Sequence, residues 1–192
     1  MGRDKPEYAW IYYSVGSHPK YIWKEMNLWN DDRWQVFGTM LNNPKCCAVG
    51  EVGLDYSYEN FCEEDREFQK MFVSFIKEAN KAKLPVILHI RQAEGAINRI
   101  VDAHKDAIKI LEENPIECGA VLHCFGGDKT LMEQYVKVGV SYFGIGGCIS
   151  YMMGDLDNAV INMPDRQKTI LGDNYAEGKD RGSGSLGKYC CI

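Results

Sequence analysis

The chain has 192 residues, 45% hydrophobic and 26% charged, an ordinary globular composition that excludes a disordered or fibrous protein. Its length suits one domain with a real core, so disulfide or metal staples are not needed for folding. With 22 basic against 27 acidic residues the net charge is −5, which excludes a cationic coat for nucleic acid but not a phosphate substrate, because bound metal ions can supply positive charge.

Short apolar runs alternate with helical patterns. Trp10 to Val15 is aromatic and β-branched and ends at Gly16, a first expected strand. A helix pattern of modest amphipathicity covers Asp31 to Leu41. Cys46 to Val49 is the second expected strand, ending at Gly50. The clearest helix runs from Glu63 to Ala82, with Phe68, Met71, Phe72, Phe75, Ile76 and Ala79 on one stripe and Asn60 as cap. Pro85 to Leu88 is the third strand, and a helix follows over Glu94 to Glu113, stopping at Asn114-Pro115. Gly119 to Leu122 is the fourth strand. The next helix is capped by Asp128, packs Leu131, Met132, Tyr135 and Val136, and ends at Gly139. Val140 to Ile145 and Thr169 to Leu171 complete six strands. Residues 1–176 read as one domain, and residues 177–192, rich in Gly and Ser, as a flexible tail.

Strands and helices in alternation with short loops mean βαβ crossovers and an α/β fold with a parallel sheet. Six strands suit an open doubly wound sheet or six-eighths of a (β/α)₈ barrel. The longest uncharged run, Val138 to Gly154, is too short and too glycine-rich for a membrane span. Arg3 to Glu7 is followed by no clean signal region, so a cytoplasmic protein is expected, with the nucleus as the other compartment. Eight cysteines without a Cys-x-x-Cys pair read as reduced thiols. Cys190-Cys191 is not a prenylation box, because Tyr189 stands fourth from the end.

The polar residues carry the chemistry. Among them, His18 follows the first strand, Glu51 the second, His89 closes the third, His123 closes the fourth and Asp173 follows the sixth. In parallel α/β folds the strand C-terminal ends converge on one crevice. Two imidazoles and two carboxylates there (Glu51, His89, His123 and Asp173) are a ligand set for Zn²⁺ or a similar divalent ion. Taken singly, each has a plain structural reading as a capping or hydrogen-bonded residue; the joint placement is the signal. His104 lies on the apolar stripe of its helix and reads as structural.

Four motifs occur in order: Gly16-Ser17-His18-Pro19, Gly50-Glu51-Val52-Gly53-Leu54-Asp55-Tyr56, Leu84-Pro85-Val86-Ile87-Leu88-His89 and Val121-Leu122-His123-Cys124-Phe125-Gly126-Gly127. Together they resemble the TatD-related deoxyribonuclease family of metal-dependent hydrolases, over about Val15 to Tyr175. The resemblance implies a TIM-like barrel, incomplete here with about six of eight strands, and hydrolysis of DNA phosphodiester bonds by metal-activated water. It implies Glu51 as a carboxylate bridging two metals, His89 and His123 as ligands, and Asp173 as the acidic residue that closes the site and orients water. His18 and Arg91 would meet the substrate. The cofactors implied are divalent ions (Mg²⁺, Mn²⁺ or Zn²⁺), up to two in the family and one here, and the partner is DNA. The family's N-terminal His-x-His pair is missing, so by motif order the chain starts near the family's third strand. Two alternatives to an active nuclease follow: a non-catalytic relative holding one metal or a partner, and a hydrolase of another ester or amide.

Overall fold

Among the described residues each strand pairs with its neighbours in sequence, and every such pairing is parallel. The computed structural model describes residues 9–57, 67–92, 102–146, 156–163 and 168–171. The strands are β1 (Tyr13–Val15), β2 (Cys46–Asp55), β3 (Val86–Arg91), β4 (Ala120–Leu122), β5 (Val140–Ile145) and β6 (Lys168–Leu171). Their order across the single sheet is β1-β2-β3-β4-β5-β6. A doubly wound sheet reverses its order at a switch point; this one does not, which is the winding of a barrel wall. Among the described residues β1 and β6 do not pair, so the wall stays open.

Helices α1 (Pro19–Glu25), α2 (Asp31–Leu41), α3 (Glu67–Ala82), α4 (Ala103–Glu113), α5 (Lys129–Lys137) and α6 (Leu156–Ile161) link the strands, with a 3₁₀ turn over Met26–Leu28 after α1. Local chemistry sets their ends. Asn30, Asp102 and Asp128 accept backbone N–H groups at the starts of α2, α4 and α5. The expected helix over Glu94–Glu113 is therefore corrected: Asp102 is extended and caps, so the described helix starts at Ala103. Residues 93–101 and the Asn60 cap lie outside the described residues, as does the 177–192 tail. The stripe on α3 buries Phe72, Phe75, Ile76 and Ala79. Phe75 meets Trp29, Trp34 and Phe37 at ring-centroid distances of 4.9, 5.2 and 5.4 Å, which ties α2 and α3 together.

Two further expectations need correction. The first strand is shorter than Trp10–Val15; Trp10, Ile11 and Tyr12 are exposed, and pairing starts at Tyr13. Here β-propensity alone read too far, because among the described residues β1 has a partner on one side only. The second strand is longer. Gly50 read as a stop, yet β2 runs through it to Asp55, so Glu51 stands inside the strand and not after it. His89 likewise lies within β3, two residues before its end.

His104 packs on α5, its Nδ1 2.9 Å from the Tyr135 hydroxyl. Burial depresses its pKa below the ordinary 6.5, with Asp102 opposing. The unfolded chain thus takes up this proton first as pH falls. The His104 contribution is intact above about pH 6.5 and is lost as pH drops toward the lower folded value. Urea unfolding of His104→Gln between pH 7.5 and 5 is expected to give a flatter stability profile than the parent. An unchanged slope would contradict this assignment.

Candidate metal centre

β1 to β4 deliver one imidazole or carboxylate each to a common spot. His18 caps α1: its Nδ1 accepts the Lys20 N–H at 3.1 Å, with Pro19 opening the helix. That acceptor role leaves the proton of a neutral ring on Nε2, which lies 3.3 Å from Glu51 Oε2. His18 therefore faces the site as a donor.

Glu51 reaches the site through a bulge. Val49 pairs with Val86 and Val52 with Leu88, so Gly50 and Glu51 stand opposite Ile87 alone. The extra residue lets Val49 and Val52 both bury completely while the Glu51 carboxylate emerges among the histidines. Gly50 permits this at φ +151°; a Cβ there would sit 2.6 Å from Ile87 Cβ. The Gly50–Glu51 peptide is cis. Gly53, at φ +144°, brings β2 equally close to β3, and a Cβ there would lie 2.3 Å from the His89 carbonyl oxygen.

The carboxylate presents one oxygen to each side. Glu51 Oε1 is 3.3 Å from His123 Nε2, and Oε2 is 3.7 Å from His89 Nδ1. His123 follows β4 directly and is held by its N–H donating to the Leu88 carbonyl at 2.9 Å. The His18 and His89 rings lie 4.2 Å apart. Donor atoms of His18, Glu51 and His89 all fall within 4.8 Å of one another, close enough to surround one cation. Of these three residues, His18 has its Nδ1 lone pair engaged, which leaves Glu51 and His89 Nδ1 as the free donors of the cluster, while His123 Nε2 lies beside the other oxygen of the carboxylate.

The electrostatics agree with that division. The Glu51 carboxyl is held below the usual carboxylate range by its bond from His18, with burial opposing and His123 and His89 adding attraction. Burial lowers the His123 pKa, Glu51 opposes, and His89 and His18 lower it further. A neutral imidazole beside an ionised carboxylate is the protonation state that metal ligation requires.

The expected residues are thus brought together in part. Glu51, His89, His123 and His18 converge. Arg91 is the last residue of β3, two positions beyond His89 and so on the same strand face, and pairs in register with Asp55. Asp173 lies outside the described residues.

Sequence reasoning missed Asp55. It ends β2 with its side chain 1% exposed, and its Oδ2 lies 3.5 Å from His89 Nε2. Its Oδ1 accepts from the Ser57 N–H at 2.9 Å and from the Ser57 hydroxyl. Burial would raise its pKa, but His89 and Ser57 outweigh that and hold it at about 2. The signal was available: an acidic residue at i+4 from Glu51, ending an otherwise apolar stretch, is not a solvated residue.

Comparison with known proteins gives one consistent result. The family model described as TatD related DNase matches residues 4–171. An uncharacterised metal-dependent hydrolase of Buchnera aphidicola is 33% identical over 150 residues, covering 76% of this chain and 51% of its own. The 3'-5' ssDNA/RNA exonuclease TatD of Cronobacter turicensis is 30% identical over 142 residues, covering 74% and 48%. Among solved structures, the TatD homologue YjjV of Escherichia coli K12 superposes with a TM-score of 0.62 at 25% identity, over 80% of this chain and 54% of that one. A TatD family hydrolase of Entamoeba histolytica gives 0.64 at 23% identity, over 83% and 50%, a likeness of fold. The chain spans about half the length of the curated relatives it matches.

Proposed function

This chain belongs to the TatD-related DNase family, and from that premise we propose that it is a metal-dependent hydrolase cleaving phosphodiester bonds of DNA. The observation that carries the reading is the Glu51 carboxylate with an imidazole of His89 or His123 beside each oxygen. Glu51, His89 and His123 would hold the metal, with Asp173 as the closing acidic residue on the strength of the family motif. Bound there, one or two divalent ions (Mg²⁺, Mn²⁺ or Zn²⁺) would lower the pKa of water into the neutral range and offset phosphate charge.

The chain's own residues supply the rest. His18, with its ring proton on Nε2, is set to donate to a phosphate oxygen once Glu51 turns to a cation. Arg91 offers a planar guanidinium that can grip a phosphate in two places. Asp173 would orient the attacking water or take its proton. DNA binding at such a site draws on local charge, which suits a chain whose net charge is −5. The reading fits the cytoplasm or the nucleus, where DNA is met. Among the described residues no helix is long and apolar enough to cross a membrane.

The test is a nuclease assay of the purified chain on single- and double-stranded DNA with each ion, beside His123→Ala. Metal-dependent cleavage that disappears in the variant is expected. Equal cleavage by both would overturn the reading.

One observation favours a second reading. The single Glu51 carboxylate already serves three imidazoles, those of His18, His89 and His123. A relative that binds one metal without turnover would give a calorimetric binding isotherm and no cleavage with any of the three ions.

A further inference from the structure

Only two polar residues are buried among the described residues, Ser17 and Asp55, and Asp55 has no part in the function proposed above. Its two oxygens have separate fates. Oδ1 is taken by both donors of Ser57, which fixes the rotamer and leaves Oδ2 aimed at His89. Asp55 Oδ2 and His89 Nε2 are buried, have no hydrogen-bond partner and face each other across 3.5 Å. The other nitrogen of the same ring, Nδ1, faces Glu51.

A buried carboxylate oxygen repels a ring nitrogen that carries a lone pair and attracts one that carries a proton. Neither Oδ2 nor Nε2 has another partner to change that balance, and a buried polar atom left unpaired is costly. We propose that Asp55 is a positioning residue that keeps the His89 proton on Nε2, so that the Nδ1 lone pair is presented beside Glu51 as a metal donor. Histidine ligands in metal sites commonly lean on such a carboxylate, which fixes the tautomer and the ring plane. The presence of a metal at Nδ1 rests on the function proposed above; the tautomer does not.

The experiment separates the two. Imidazole ¹⁵N shifts of the metal-free full chain at pH 8 read the His89 tautomer, with the signal assigned by its loss in His89→Gln. The parent is expected to show the Nε2-protonated form, and Asp55→Asn a shift toward the Nδ1-protonated form. Mn²⁺ titration calorimetry on the same two proteins is expected to show affinity reduced about 10–100-fold in Asp55→Asn. An Nδ1-protonated or doubly protonated His89 in the parent would overturn the proposal, even if Asp55→Asn failed to fold. So would a variant whose tautomer and Mn²⁺ affinity both match the parent. A parent that binds no Mn²⁺ but holds His89 protonated on Nε2 would refute the metal centre and uphold the Asp55 assignment.

Discussion

Glu51→Gln is expected to abolish metal binding and metal-dependent hydrolysis while leaving the fold in place. The substitution keeps the shape but removes the charge, and it puts an NH₂ donor where one of two carboxylate oxygens faced an imidazole. Loss of a carboxylate or histidine that merely orients a ligand costs about 10–100-fold in metal affinity, so loss of the central carboxylate should exceed 100-fold. Calorimetry with Mn²⁺ or Zn²⁺ would measure it. The cost in stability is expected to be small by comparison. In the parent the folded-state pKa of Glu51 is depressed, so its stabilising share is present above the ordinary carboxylate value of 4.5 and is lost as pH falls through the lower folded value. At pH 7.5 the parent has that share and the variant lacks it, which predicts a modestly lower unfolding midpoint. A variant that still binds the ion tightly would remove Glu51 from the centre of the site.

Gly53→Ala is expected to damage fold and site together. The added Cβ would meet the His89 carbonyl oxygen at 2.3 Å, the His89 carbonyl carbon at 3.1 Å and Ile90 Cδ1 at 3.0 Å. The first two are backbone, which cannot swing aside as a side chain can. The φ of +144° is itself a conformation that alanine adopts only under strain. Overpacking and backbone strain each cost about 1–3 kcal/mol, so a loss of about 2–5 kcal/mol is expected in urea unfolding. Because Gly53 is the register partner of His89, the strand that gives way is the one carrying the ligand. Gly126→Ala is the control: a Cβ there meets nothing within 4 Å. Equal stability of the two variants would show that the β2–β3 approach is not a constraint.

The sheet was legible because buried parallel strands are continuous apolar runs, and Ala120–Leu122 is such a run from end to end. The C-terminal ends of these runs were enough to gather His18, His89 and His123. What defeated the reading was β2, where Gly50, Glu51 and Gly53 interrupt the pattern. A glycine inside a strand weakens the signal of a strand; here it marks a bulge and a close crossing of two backbones. α1 was also missed, although Pro19 after a capping His18 is a start signal. Seven residues offer too few turns for a helical period to declare itself. Asp55 escaped because its place at the end of an apolar stretch marks it as buried but does not give its role, which depends on His89 of the next strand.

The strand order has a consequence for the way the site is made. His18, Glu51, His89 and His123 come from four consecutive β-strand units, and each of these strands pairs with its immediate neighbours in sequence. Each of these pairings waits only for the crossover between its own two strands and for no later strand, so assembly can proceed stepwise even though parallel pairing is itself slow. A chain emerging from the ribosome N-terminus first can therefore bring these four side chains together once His123 and its β4 strand are out, while β5 and β6 are still being synthesised.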